Sequence, residues 1–316
     1  MDLQMLKRRS EIIRKTRSFF ESKNYLETDT PLLVPDLIPE SCLEVFQTMR
    51  IFPGLSPAMP LWLIPSPEIS MKKIIAQHSV NIFQICKCFR NGESTGHLHN
   101  HEFTMLEYYT MDADYLDSLR LTREFFSYLT PESPEFICMT MAEAFSRWAG
   151  FDLFYAAEKP GGLENEARRL GLEPKPGLNN QVLFDLIFIH VIEPKLREET
   201  LVALLDYPAF IPCLAKKNNK TVERWELYAN GIELANCYSE ETDPALVRAF
   251  FEKEAAAKEK SALIRHNVDQ NYWKIFENKN KRYFPRCSGV ALGLDRLIMY
   301  ICEKRYINQV LFISDQ

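Results

Sequence analysis

An α+β fold, built on an antiparallel sheet flanked by helices, is what this 316-residue chain predicts. Three observations carry the prediction. Ile82 to Phe89 and Glu102 to Tyr109 are strand-like runs separated by a polar loop. Glu223 to Asn236 contains Asn230-Gly231, the strongest hairpin signal in the chain. Cys287 to Met299 reads as strand, glycine joint, then helix, and segments of helical period lie between these strands.

Taken in order, Met5, Leu6, Arg9, Ile12, Ile13, Thr16, Phe19 and Phe20 fall mostly on one face of a helix. Tyr25 to Leu33 is a short extended segment containing Pro31, and 35–60 is proline-rich and loop-like, ending in the apolar run Leu61-Trp62-Leu63-Ile64. Ser66-Pro67-Glu68 reads as a helix start: Ser66 the cap, Pro67 the first helical residue, Glu68 an acid in the first turn. That helix should end near Gln77. Residues 114–130 and 139–149 are predicted helical, 158–180 is punctuated by turns around one short helix near 163–170, Val182 to Val191 is an apolar helix or buried strand with helix favoured, and Val202 to Asp206 is a strand.

Composition narrows the function. The chain is 46% hydrophobic and 26% charged, with net charge −5 and pI about 5.8, so its overall charge gives no sign of a nucleic-acid binder. No run approaches the ~18 apolar residues of a membrane span, and the polar, basic start of the chain has no apolar signal segment. The eight cysteines are scattered, and only Cys86 and Cys88 are close, pointing the same way on a strand without a second pair. That spacing predicts no zinc site but buried free thiols in a reducing cytosol.

From Glu102 to Tyr109 an extended chain puts Phe103, Met105, Glu107 and Tyr109 on one face. A carboxylate among aromatics on a half-buried face needs a partner: a ligand ammonium, or a Lys or Arg elsewhere in the fold. In the hairpin, Ala229 should pair with Ile232, Tyr228 with Glu233 and Glu226 with Ala235, leaving Glu226 and Glu233 diagonal neighbours roughly 7–8 Å apart. Two cations answer their repulsion: Arg224 on the same face, which spacing alone favours, or a hydrated Mg²⁺ carrying ATP phosphates. Strict alternation turns Asn236 away from Glu233; for both to serve one site the strand must bulge or end. Arg296, in the first turn after the glycine joint, strengthens an anion site at a helix N-terminus.

These segments together resemble a class II aminoacyl-tRNA synthetase catalytic domain of the lysyl branch, over nearly the whole chain. Tyr25 to Leu33 with Pro31 resembles the dimer-forming first motif, Phe89-Arg90-Asn91 through Glu107 the second, Gly289 to Met299 the third, and Glu226 to Glu240 the metal and lysine segment. The resemblance implies a single synthetase-like domain over 1–316 with no anticodon-binding barrel. That is closest to free-standing relatives that attach (R)-β-lysine, with ATP and Mg²⁺, to a lysine of elongation factor P. Ser66 stands where lysyl-tRNA synthetases have alanine and Ala291 where they have glycine, both near the substrate's amino and carboxylate groups.

The roles that follow are those the resemblance implies. Arg90 and Arg296 are the catalytic residues, Arg90 on the α-phosphate. ATP is held by Arg90, Asn91, Gly92, Glu93, His99, Asn100, Phe103, Glu233, Leu234, Gly293 and Arg296, with Phe103 stacked on adenine. Ser66, Pro67, Glu68, Glu107, Tyr109, Asn236, Glu240 and Ala291 bind the amino acid, and Glu226 and Glu233 bind Mg²⁺. The implied partners are elongation factor P, β-lysine or lysine, and a second copy of the chain, with no tRNA and no membrane, in the cytoplasm. Departures are Gly92 where the second motif has glutamate, with Glu93 one later in a longer loop, His101 for proline, and Cys237 for glycine. Two other readings remain: a paralogue adenylating α-lysine or another amino acid for a different acceptor, and an inactive binding module.

Overall fold

The computed structural model describes residues 1–54, 58–92, 96–130, 132, 136–277 and 283–312. The fold is α+β. Its strands are β1 (Leu26–Glu27), β2 (Leu33–Val34), β3 (Gln47–Arg50), β4 (Met59–Leu63), β5 (Ile82–Phe89), β6 (Glu102–Met111), β7 (Ile137–Thr140), β8 (Leu201–Pro208), β9 (Lys217–Asn218), β10 (Thr221–Ala229), β11 (Ile232–Ser239) and β12 (Cys287–Gly293). The helices are α1 (Leu3–Ser22), α2 (Glu68–His78), α3 (Tyr115–Leu129), α4 (Met141–Ala144), α5 (Leu153–Glu158), α6 (Gly162–Arg169), α7 (Asn180–Ile187), α8 (Glu193–Leu196), α9 (Pro244–Ser261) and α10 (Leu294–Ile301).

The main sheet runs β1-β5-β6-β12-β11-β10-β8-β7, with β9 beside β10. Among the described residues only its outermost pairs, β1 with β5 and β7 with β8, are parallel. A small sheet, β2-β4-β3, occupies part of the proline-rich stretch expected to be loop. Among the described residues no helix is long and apolar enough to cross a membrane.

Two neighbouring cross-strand rows explain the sheet's sidedness. One row reads Ile85, Leu106, Leu292, Ala235, Leu227, Ala203 and is apolar throughout. The row one residue away reads Gln84, Glu107, Ala291, Asn236, Glu226, Leu204 and is largely polar. Because successive side chains point to opposite faces, one face becomes core and the other a polar floor. Helices α1, α3 and α10 cover the apolar face, where Phe20, Phe83, Tyr108, Phe125 and Trp225 interlock. Residues of α2, α9 and the turn Tyr272–Ile275 pack near Tyr109 on the polar face.

Most predicted elements form, with specific differences. Pro67 rather than Ser66 is the cap residue of α2, which starts at Glu68. Ser66 still takes a backbone donor, its Oγ accepting from the Glu68 N–H at 3.1 Å. The shift is one residue: the proline ring occupies the turn before the helix and Ser66 caps from outside it. Cys42 and Cys138 are exposed rather than buried, and all eight cysteines are free, Cys86 and Cys88 lying Sγ to Sγ at 3.8 Å. The long helix α9 had no sequence expectation.

Candidate active site

The hairpin turn forms as expected, with Asn230 and Gly231 at φ 48° and 77°. Both central residues in the left-handed region match the two-residue turn that Asn-Gly favours. Ala229 pairs with Ile232 and Tyr228 with Glu233, as the spacing requires. Beyond them the register shifts: Leu227 pairs with Ala235, so Glu226 faces Asn236 and not Ala235. The extra residue is Leu234. The bulge lets Leu234 and Ala235 both enter the core while Glu233 and Asn236 line one cavity. It is the bulge that a shared role for Glu233 and Asn236 demanded.

That cavity, of about 380 Å³, lies over the centre of the sheet. Arg90, His99, Asn100, Phe103, Glu233, Leu234, Asn236, Ala291, Gly293 and Arg296 all line it. The Arg90 guanidinium lies 5.2 Å from the centre of the Phe103 ring. Arg296 is fixed from the other side, donating to the Glu233 carbonyl at 2.9 Å and more weakly to the Leu98 carbonyl at 3.4 Å. Two guanidinium groups and an aromatic ring around one cavity suit a planar base carrying phosphates.

Asn91 and Gly92, expected at the nucleotide, do not line the cavity: Asn91 pairs with Glu44 and is tied to the scaffold. Its Nδ2 donates to the Val45 carbonyl at 3.3 Å, and its Oδ1 accepts from the Gly92 N–H at 2.9 Å. Asn100 donates to the Glu102 carbonyl at 2.6 Å. Glu93 lies outside the described residues.

Glu226 and Glu233 differ sharply. Glu226 is enclosed: Tyr207 and Tyr228 donate to its Oε2 at 2.6 and 2.5 Å, and Arg224 pairs with its Oε1. Burial works to raise this carboxyl, but Arg224 and the tyrosines outweigh it and hold the group below its ordinary value. The arginine partner anticipated for the pair is therefore formed, on Glu226. Glu233 makes no side-chain hydrogen bond among the described residues. Burial, then repulsion from Glu226, push it up to about 7 against the pull of Arg296, Arg224 and Arg90. A cation in the cavity would relieve that repulsion, so Glu233 could take a Mg²⁺ ion, whereas both oxygens of Glu226 are already engaged.

Glu68, Glu107, Tyr109 and Glu240 do not line this cavity. They gather at the polar floor next to it, where Glu107 lies directly across from Ala291 and Ala291 from Asn236. Tyr109 OH donates to Glu107 Oε1 at 2.7 Å, while among the described residues Glu107 Oε2 is buried without a partner, as is Asn236 Oδ1. Burial and then Glu68 hold the Glu107 carboxyl well above the ordinary range. A buried acceptor left unpaired costs about 1–3 kcal/mol, and more when charged. Such a cost points to a ligand that donates hydrogen bonds at Glu107.

The residue that fills this end is one sequence reasoning missed. Lys72 of α2, 1% exposed, donates to Glu68 Oε1 at 2.6 Å and to Glu240 Oε2 at 2.7 Å. Its position one helical turn beyond Glu68 was visible in the sequence as an i, i+4 pair. Asp295 was missed too. It is 2% exposed, accepts the Thr104 N–H at 2.6 Å and pairs with Arg9 at 2.7 Å, locking α10 and α1 onto the strand that carries Phe103.

Known proteins match this chain closely. The sequence pattern of the tRNA synthetases class II (D, K and N) matches residues 2–315. A protein of Avibacterium paragallinarum called elongation factor P–(R)-β-lysine ligase is 34% identical, covering 99% of this chain and 95% of its own length. Proteins of the same name from Photobacterium profundum and Vibrio cholerae are also 34% identical, covering 98% of this chain and 94% of theirs.

Proposed function

This chain belongs to the class II tRNA synthetase family, and from that premise we propose that it is an ATP-dependent ligase that adenylates (R)-β-lysine and transfers it to a lysine side chain of elongation factor P. The observation that carries the reading is the continuity of one sheet face. It bears Arg90 and Phe103 by the cavity and, two residues beyond the cavity's Met105, the unsatisfied carboxylate of Glu107. In this reading residues 1–316 act as one synthetase-like domain, paired with a second copy.

In the first step a substrate carboxylate oxygen bonds to the α-phosphorus of ATP, the bond to the β-phosphate oxygen breaks, and pyrophosphate leaves. Arg90, set against Phe103, is placed to meet the charge that grows on the α-phosphate, and Arg296 binds the nucleotide from the other wall. Phe103 stacks on adenine, and Asn91, Gly92, Glu93, His99, Asn100, Leu234 and Gly293 shape the rest of the nucleotide site. Glu233, with the charge of Glu226 nearby, would hold Mg²⁺, which would supply positive charge to offset the phosphates. In the second step the amine of the acceptor lysine attacks the acyl carbon and AMP departs. No enzyme nucleophile takes part, so rate comes from positioning and electrostatics.

Glu107, Tyr109, Asn236 and Glu240, with Ser66, Pro67 and Glu68, recognise the amino groups. The Ala291 methyl, seated between Glu107 and Asn236 in the sheet, trims the space for the carbon that bears the nearer amine. The test is pyrophosphate exchange with α-lysine and (R)-β-lysine in parallel, followed by mass measurement of elongation factor P. Preference for β-lysine and a matching mass gain on the factor support the reading. Exchange favouring α-lysine, or none with any amino acid, overturns it.

A further inference from the structure

Two carboxylates at the amine end are each held by one oxygen. Tyr109 OH occupies Glu107 Oε1 and leaves Oε2 unpartnered. Lys72 Nζ occupies Glu240 Oε2. Glu240 Oε1 then lies over Gly289, 2.6 Å from where a Cβ would stand, next to the edge of the Tyr109 ring at 2.5 Å from the same point. Lys72 Nζ itself lies 5.9 Å from the centre of that ring. The free oxygen of each acid is thus set by a donor on the other.

We propose that Lys72 is a positioning residue, holding one oxygen of Glu240 so that the other is offered to a substrate ammonium. The proposal deepens the functional reading above and rests on it. Charge supports it. Glu68 and Glu240 are two carboxylates against the one ammonium of Lys72, so with Lys72 in place this pair is short of one positive charge, which a substrate ammonium supplies. Without that ammonium one carboxylate of the pair stays uncompensated, an outcome that burial penalises.

Lys72 also keeps Glu240 available in its charged form. Burial pushes the Glu240 carboxyl up to about 7, and Lys72 is what restrains it. Burial works against the Lys72 ammonium, yet Glu240 and Glu68 hold it charged far into the alkaline range. The other titratable groups facing Glu240 are Glu68 from α2, Tyr109 from β6, Cys237 from β11, Cys287 from β12, Tyr272, and Cys213 in the segment after β8. Of all these only Lys72 carries a positive charge.

The test compares the wild type with Lys72→Met, Glu240→Gln and the double variant. Lys72→Met, similar in length but uncharged, should raise the amino-acid KM about tenfold or more while leaving the ATP KM and kcat nearly unchanged. Its KM should recover only at a higher pH than in the wild type. In the double variant, Glu240→Gln should add little, because Lys72 acts through that acid. Carboxyl titration of Glu240 by NMR gives a readout independent of activity: its midpoint should rise in Lys72→Met. A purely structural lysine would lower the Tm and shift every kinetic constant together. Additive KM effects, or a Glu240 midpoint unchanged by Lys72→Met, overturn the proposal. If the wild type activates no amino acid, the functional reading falls while the titration still decides the role of Lys72.

Discussion

The nucleotide end and the amine end of the site are built on the same strands by opposite means. Around Arg90, Phe103 and Arg296 the sheet leaves a cavity of about 380 Å³, walled by two guanidinium groups, of which Arg296 is fixed through backbone carbonyls. At Glu240 the backbone closes in, a Cβ on Gly289 standing 2.6 Å from its Oε1, and a charged side chain of the protein, Lys72, stands between Glu68 and Glu240. A nucleotide brings its own large surface and charge, so its site need only be open and positive. A small ammonium offers little surface, so its site must be close-fitting, and Lys72 must favour the charged form of Glu240 until it arrives. One end therefore tolerates small changes in volume and the other does not.

The sharpest way to break this contrast is Arg90→Ala. It should lower pyrophosphate exchange by about 10²–10³-fold or more with the circular dichroism unchanged, and unaltered exchange would remove the phosphate role. Gly289→Ala comes next. Its new Cβ would stand 2.5 Å from the Tyr109 ring and 2.6 Å from Glu240 Oε1, so amino-acid affinity should fall more than tenfold while ATP affinity, by calorimetry, holds. Glu240→Gln should raise the amino-acid KM roughly 10–100-fold; a selective loss of ATP affinity instead would place that residue at the wrong end.

A smaller effect concerns pH. Glu233 and Glu240 are both raised from about 4.5 to about 7, so the folded chain binds protons there more tightly than the unfolded chain. The stability they lend is full below pH 4.5 and lost as pH climbs through 7. The free protein's Tm should therefore fall across that window from these groups, and Glu233→Gln should flatten part of the decline. The smallest effect is Gly293→Ala. Its Cβ would meet nothing nearer than 3.7 Å, so a change below about twofold in either KM is expected. A large loss there would show that the nucleotide end is as tightly drawn as the other.

Sequence periodicity revealed the open end well and the closed end in part. Alternation along Glu102 to Tyr109 places Phe103, Glu107 and Tyr109 on one face, and the Asn-Gly turn fixes the first pairs of the hairpin. Such signals are local, set within a few residues of each side chain. The bulge at Leu234 could be stated only as a condition, because it depends on how many core positions β11 must fill against α10 and β12. Lys72 stayed hidden for a similar reason. An i, i+4 Glu-Lys pair on a helix is usually a solvated surface pair, and only Glu240, 168 residues on, turns it inward. Asp295 gave no signal beyond an acid in a first helical turn.

The tie between Arg9, Thr104 and Asp295 has a consequence for synthesis. Arg9 also reaches the Val310 carbonyl, 301 positions away, and β12, which lies between β6 and β11, is the last strand of the described chain. On the ribosome β5 and β6 emerge early, bringing Arg90 and Phe103, but β6 keeps a bare edge until residue 287 appears. Contacts of such long range form late. A nascent chain arrested before β12 should therefore bind no nucleotide and should present that edge to any neighbouring strand, including one of its own kind.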